Sequence, residues 1–387
     1  MGRRQVALVR QDDYELETLE QAIERAFSLL GGMDDLVRPG MTVALKVNAL
    51  LRKHPDQHAT THPAVVAALA RALGKRGARV VIGDSPGGPY NSAYLRSVFD
   101  KCGFFAAAKD GGAEVCLDTD TVVLENPAGV LLRQVEVCGY LQRADVVFSL
   151  AKLKTHGMVG YTGAVKNMFG AVPGALKVDY HYRFPKVSDF TNCLVDICGA
   201  VAPVFSLIDG IWAMEGDGPS AGTPRKVGAL VASRCPHSAD IIGASLLGMD
   251  CSFVHTLKHA AQRGIVAPDY AVDVVGEAVE TLAVGDFKMA TPHSMDVLDR
   301  RLGRFPPFVR SAARRLLLTR PQLDAGLCIG CGVCMEACPP KVIRMRNAKP
   351  VIDRSLCIKC YCCQELCPKA AMRIKRPLLL RLMQGRG

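Results

Sequence analysis

The chain has 387 residues, 49% hydrophobic and 22% charged, which excludes a disordered protein and allows one large core plus a small appended domain. Its formal charge of +11 is uneven: residues 300–387 hold 19 Lys and Arg against 4 Asp and Glu, and residues 1–299 hold 29 against 33. The basic character therefore belongs to the last quarter and does not make the whole protein a nucleic-acid binder.

The longest uncharged apolar stretch, 197–208, has 12 residues, short of the roughly 20 that a membrane span needs. The apolar run 6–9 is stopped by Arg10, Asp12 and Asp13, too early for a secretory signal. The expectation is a cytoplasmic, reducing location with no transmembrane segment, where clustered cysteines bind metal rather than form disulfides.

Short β-branched runs alternate with helix-period stretches, the pattern of a mostly parallel α/β sheet with helices on both faces. Strands are expected at 6–10, 42–47, 79–82, 145–150, 204–209 and 226–232. Helices are expected at 16–30, 64–75, 93–102, 187–200, 238–247 and 252–263, the first ended by Gly31-Gly32. Residues 113–138 read as three short strands, a small β-rich insertion. The expected domains are 1–299, a basic linker at 300–322 with a short helix at 308–319, a cysteine-rich unit at 323–374 and a basic tail at 375–387.

Nine of the 16 cysteines lie between Cys328 and Cys367, in an internal repeat offset by 29 residues. Cys328-Ile-Gly-Cys331-Gly-Val-Cys334-Met-Glu-Ala-Cys338-Pro339 is followed by Cys357-Ile-Lys-Cys360-Tyr-Cys-Cys363-Gln-Glu-Leu-Cys367-Pro368. Both halves fit C-x2-C-x2-C-x3-C-P, the run of bacterial two-cluster ferredoxins. Two-residue steps let a tight loop wrap a cube, and the proline turns the chain after the fourth thiolate. Zinc sites use four ligands in two separated pairs, which eight cysteines in a duplicated run do not match. In ferredoxins of this kind the fourth Cys of each run ligates the other cluster. The resemblance implies two [4Fe-4S] clusters, one on Cys328, Cys331, Cys334 and Cys367 and one on Cys338, Cys357, Cys360 and Cys363. Cys362 and the seven earlier cysteines, which form no C-x-x-C, read as small packed residues.

In open α/β sheets ligands bind outside the carboxyl ends of the strands. Lys46 and Asn48 follow the second strand; Gly83-Asp84-Ser85-Pro86-Gly87-Gly88 follows the third. Lys152-Leu-Lys154-Thr155-His156 and Thr162-Gly163-Ala-Val-Lys166-Asn167 follow the strand at 145–150, and Asp209-Gly210 and Glu215-Gly216-Asp217-Gly218-Pro219 follow that at 204–209. Together these loops would form a cationic cleft for an anionic small molecule, a carboxylate or phosphate. Lys46, Asn48, Ser85, Lys152, Lys166, Asn167 and Glu215 would bind it. Lys154, His156, Asp84 and Asp209 would carry the chemistry, the lysine and histidine as proton donors. Asp84, Asp209 and Glu215 could instead balance charge or bind a metal. No Walker A, G-x-G-x-x-G, G-x-S-x-G or H-E-x-x-H sequence is present.

The lysine motif, with Gly83-Asp84-Ser85-Pro86, Asp209-Gly210, Glu215–Pro219 and Asp240 after Pro236-His237, resembles the domain-of-unknown-function family numbered 362 over about residues 5–290. Members of that family are often fused to ferredoxin-type modules, and no settled reaction comes with the resemblance. Three functions compete. One is an oxidoreductase passing electrons from a soluble, acidic ferredoxin or flavodoxin through the clusters to the cleft. The second is a non-catalytic electron carrier or ligand-binding protein. The third, nucleic-acid binding through the basic end, is disfavoured because Phe305, Phe308 and Tyr361 are the only aromatics after residue 300. The basic tail would contact an anionic membrane or an acidic partner. Part of the basic excess balances the clusters themselves, at about −2 each.

Overall fold

A computed structural model describes residues 4–290 and 319–375. In chain order the strands of the larger part are β1 (Gln5–Arg10), β2 (Thr42–Lys46), β3 (Arg79–Gly83), β4 (Glu114–Val115), β5 (Thr121–Glu125), β6 (Gln134–Cys138), β7 (Val146–His156), β8 (Gly160–Thr162), β9 (Phe205–Glu215), β10 (Thr223–Ser233) and β11 (Asp273–Gly276). Nine of them form one sheet in the order β11-β1-β10-β9-β7-β2-β3-β4, with β8 hairpinned onto β7. The β2–β3, β2–β7, β3–β4, β7–β9 and β1–β11 pairs are parallel, and β10 runs antiparallel to both neighbours. The protein is thus α/β with a mostly parallel sheet. The expected insertion is smaller than three strands: β4 joins the main sheet, and only β5 and β6 pair as a separate hairpin.

The helices are α1 (Leu16–Leu29), α2 (Pro63–Gly74), α3 (Ser92–Lys101), α4 (Phe104–Gly111), α5 (Gly139–Arg143), α6 (Ala164–Asn167), α7 (Gly174–Arg183), α8 (Val187–Val201), α9 (Pro236–Leu246) and α10 (His255–Gln262). Strand alternation sends side chains to both sheet faces, and helices cover each. On one face Leu19, Ile23 and Phe27 of α1 and Val66, Leu69 and Leu73 of α2 pack on Val9, Leu45, Phe148 and Leu207. On the other, Ile241 and Leu257 pack on Leu8, Leu153 and Val231, and Phe190, Leu194 and Ile197 of α8 pack against Ala44 and Val147. Burying a leucine or phenylalanine contributes about 1.5–3 kcal/mol each, so these layers fix the sheet edge that carries the polar residues.

The cysteine-rich module adds β12 (Arg320–Leu323), α11 (Val333–Glu336), β13 (Ile343–Arg346), β14 (Lys349–Ile352), α12 (Cys362–Glu365) and β15 (Met372–Lys375). β12 pairs with β15 and β13 with β14, both antiparallel, which gives the ferredoxin-type shape. Pairing begins at Arg320, inside the stretch read as linker, because Arg320 and Pro321 lie opposite Lys375 and Ile374. Residues 308–318 of the expected helix at 308–319 and the tail beyond Lys375 lie outside the described residues. Both halves of the repeat need left-handed backbone at the same two positions. Gly330 and Gly332 supply it at φ 72° and 77°, whereas Lys359 and Tyr361 adopt 58° and 62°. A non-glycine residue there is strained, and the buried hydroxyl of Tyr361 hydrogen-bonds Thr319 at 2.9 Å, which helps hold it.

Candidate functional site

The repeat wraps two cavities. One is lined by Cys328, Cys331, Cys334 and Cys367, the other by Cys338, Cys357, Cys360 and Cys363. Each set takes three thiols from one half of the repeat and the fourth from the other, as the ferredoxin resemblance implies. The remaining walls are largely apolar, with Leu323, Met345 and Met372 around the first cavity and Val342, Ile343 and Ile352 around the second. Four thiols around a dry, roughly isotropic space fit an iron–sulfur cube. Among the described residues no three His, Cys, Asp or Glu converge closely enough for a single metal ion. That is compatible with a cube, whose corners hold the thiolates further apart than a tetrahedral zinc does. The seven cysteines of the larger part are free, and all but Cys116 are buried.

A second cavity type lies where the module meets the sheet. It is a cleft of about 620 Å³, mouth included, with Lys46, Asn48, Asp84, Ser85, Lys166 and Asn167 on the sheet side. Lys177 and His181 of α7 contribute another wall, and Cys362, Glu365 and Leu366 of the module close it. Parallel pairing of β2 with β3 and β7 brings Lys46 and the Asp84 loop to one edge. The Lys46 ammonium donates to Asp84 Oδ1 at 2.6 Å, Val47 O at 2.7 Å and Asn167 Oδ1 at 2.9 Å. Asp84 Oδ2 accepts from the Ala49 amide at 2.6 Å. Burial pushes the Lys46 pKa down, and the Asp84 charge opposes it. Gly170 lies over this pair; a Cβ there would fall on Asp84 Oδ1 and Lys46 Nζ.

Lys166 stands differently. It carries no hydrogen bond or salt bridge among the described residues; its ammonium lies over the Phe169 ring at 5.7 Å and feels the Glu365 charge. Lys177 Nζ donates to Ser85 O at 2.6 Å and Ser85 Oγ at 2.9 Å, and burial lowers its pKa to about 8. His181 Nδ1 is buried without a partner among the described residues, its ring stacked on Phe190 at 4.3 Å. Burial brings its pKa to about 3, so the imidazole is neutral. Three ammonium groups against two carboxylates, with an unsatisfied ring nitrogen, make a site that can take an anion and orient it by hydrogen bonds.

α6 carries Lys166 and is fixed by Asp240, which accepts from the Ala164 and Val165 amides at 2.6 and 3.1 Å. Burial raises the Asp240 pKa from 3.8 to about 7 despite those donors.

Several expected site residues are placed elsewhere. Residues 152–156 are not a loop: β7 continues through them to His156. Lys152 and Lys154, two apart, point to one face, where each finds oxygen partners that make burial tolerable. Lys152 Nζ pairs with Asp209 Oδ2 at 2.9 Å and donates to Tyr14 Oη at 3.0 Å, toward α1 and away from the cleft. Lys154 Nζ donates to Asn48 Oδ1 at 2.7 Å and Ala59 O at 2.5 Å, and so supports Asn48 from behind. Glu215 accepts from the Lys288 amide at 3.0 Å and fastens the end of the larger part.

His156 sits at the domain junction. Its Nδ1 accepts from the Met158 amide at 3.0 Å, which leaves the proton on Nε2, 3.5 Å from Glu365 Oε2. Burial and the nearby Lys166 charge lower the His156 pKa to about 4. Burial works against the Glu365 carboxylate, but the close His156 ring and the Lys166 charge outweigh it and hold its pKa below the usual range. Ser220 Oγ donates to Glu365 O at 2.7 Å, and Gln364 Nε2 to Asp217 O at 3.1 Å. Glu365, Lys177, His181 and Cys362 escaped the sequence reading. Lys177 and His181 had one usable signal, their i, i+4 spacing after Gly174; Glu365 had none.

The fold and thiol groups define an α/β iron–sulfur protein of the 4Fe-4S type. Residues 320–368 match the model described as a 4Fe-4S dicluster domain. Residues 43–245 match the model described as domain of unknown function (DUF362), and the chain belongs to that family. It is 33% identical, over 68% of its own length and 80% of the relative's, to a thylakoid-associated protein of Synechocystis sp.. Solved structures are more distant. A lactate racemase apoprotein from Thermoanaerobacterium thermosaccharolyticum gives 13% identity and a TM-score of 0.40, and a Thermotoga maritima protein gives 11% and 0.35. Each match covers 66% of this chain, which spans 58% and 60% of those two. Among the described residues no helix is long and apolar enough to cross a membrane.

Proposed function

We propose that this protein is an oxidoreductase in which two [4Fe-4S] clusters deliver electrons to an anionic small molecule bound in the cleft. The supporting observation is the shared wall: Cys362, Glu365 and Leu366 face the same space as Lys46, Lys166 and Lys177. Cys362 adjoins the ligand Cys363 in sequence, so the loop around the second cluster is itself part of the cleft. The clusters supply single electrons at low potential.

The protein's own residues do the rest. Lys166, without a hydrogen-bond partner among the described residues, and His181 Nδ1 bind the anion; Lys46, held by Asp84 and Asn167, sets its orientation. Lys177 Nζ, with a pKa of about 8, holds a proton at neutral pH and releases it at small cost to a substrate that has gained negative charge. Leu366 and Phe169 exclude water. On this reading the protein works in a reducing compartment such as the cytoplasm, which suits the free thiols of the larger part.

The test uses anaerobically purified protein, which should contain roughly eight irons and eight sulfides per chain. After reduction with dithionite and removal of excess reductant, small carboxylates and phosphates are screened for reoxidation of the clusters. Wild type should be reoxidised by at least one of them, and Lys166→Ala and Lys177→Ala should not. If no anion accelerates reoxidation or binds the cleft, the protein is a carrier instead.

A further inference from the structure

The two halves of the cysteine repeat are equivalent in sequence but not in setting. Cys331 is exposed, whereas its counterpart Cys360 is buried at 9%. Ile329 is 61% exposed and its counterpart Ile358 half-buried. Glu336 is open to solvent, while Glu365 lies under His156. The sheet domain, through Ser220, Asp217 and His156, therefore covers the second half and leaves the first uncovered among the described residues. A pseudo-symmetric carrier becomes directional when one of its two faces is closed.

The open face has a composition. Ile329 lines the Cys331 cavity, and Ile329, Leu327 and Met335, within four residues of Cys331 in the chain, are exposed apolar side chains. Lys369 lines the same thiol cavity, and the exposed Arg344 and Arg346 flank Met345, another of its lining residues. Of the module's four acids, Asp324 pairs with Arg373 and Glu365 is turned into the cleft, which leaves the exposed Glu336 and Asp353 against ten Lys and Arg in residues 320–375. A small apolar centre with a cationic surround suits a transient complex with an acidic protein, whose charges steer it while the apolar contact seats it.

We infer that the surface around Ile329, Cys331 and Lys369 is the docking site of an acidic one-electron carrier protein of the flavodoxin or ferredoxin class. On this inference, which rests on the function proposed above, electrons arrive at the iron–sulfur group held by Cys331 and leave through the one held by Cys360. Each donor loses one electron and the group gains one; no bond or proton moves.

The test mixes flavodoxin hydroquinone with oxidised holoprotein in a stopped-flow instrument and follows the donor's one-electron colour change. The Kd between the two oxidised proteins is measured separately. Ile329→Glu and Lys369→Glu should each slow the transfer and weaken binding about tenfold at low salt, with iron and sulfide content unchanged. Leu356→Glu, an equally exposed apolar position (64%) before the second half's first cysteine, should leave both intact. The inference is overturned if Leu356→Glu produces the loss instead, or if Ile329→Glu and Lys369→Glu act like wild type. Dithionite bypasses the docking site. Anion-dependent reoxidation after dithionite thus tests the cleft alone, and its failure is separable from a failure of docking.

Discussion

His156 Nε2 lies 3.5 Å from Glu365 Oε2, joining the last residue of a central strand to the last residue of a helix in the cysteine-rich module. One residue belongs to the sheet domain and the other to the repeat, and the cleft is complete only when the two meet. Glu365→Ala should therefore loosen the module without unfolding the sheet. At 3.5 Å the contact is long, and its loss costs about 0.5–1.5 kcal/mol. Hydrogen exchange should accelerate at residues 360–366 and stay unchanged in β1, β9 and β10. Uniform exchange across both regions would show that the junction does not depend on this pair.

Lys46 and Asp84 are both buried, so removing one partner strands the other. Lys46→Met should lower stability by about 3–5 kcal/mol in urea unfolding. Lys46→Met combined with Asp84→Asn should recover part of that loss. A double variant as unstable as the two single losses added together would show that the residues act independently.

Anion affinity should depend on pH through Lys177. Its pKa is depressed to about 8, so the ammonium is present below that value and lost above it. Affinity for a cleft anion, read by calorimetry, should be level below about pH 8 and fall up to about tenfold per unit above. In Lys177→Met the affinity should be lower and its pH profile flat over this interval. An unchanged profile would assign the titration to another group.

Asp240 should give stability a second pH dependence. Its folded pKa is raised from 3.8 to about 7, so between those values the folded state holds a proton that the unfolded state has released. The stabilisation this confers is complete below about pH 4, declines as pH rises and is gone above about pH 7. Asp240→Asn should flatten that slope in chemical denaturation at successive pH values. A variant with the wild-type slope would move the linkage elsewhere.

Cys362 and Cys363 are adjacent yet face different spaces, the cleft and a thiol cavity. Cys362→Ser should retain roughly eight irons per chain and alter only anion binding, whereas Cys363→Ser should lose about four. Iron loss from Cys362→Ser would make it a ligand.

The cysteine repeat was legible because its information is covalent. Three thiols per half sit within seven residues, and the loop that joins them can close on little else than a cube. The alternation of β-branched runs with helical periods likewise gave the α/β class, since the two periods are local. Lys46, Asn48, Asp84, Ser85, Lys166 and Asn167 line one cavity because parallel strands expose their carboxyl ends along one edge. The same rule failed for Lys152 and Lys154. The expected strand ends at 150, but each lysine is paired with buried oxygens, and β7 runs on through both. The sequence alone therefore determined the fold class and the iron–sulfur repeat. Only the tertiary structure decided that Glu365 and Cys362 close the cleft, that Lys177 and His181 join it, and that one half of the repeat is covered. Those facts depend on surfaces far apart in the chain being pressed together, where burial and charge pairing act across distances no local pattern encodes.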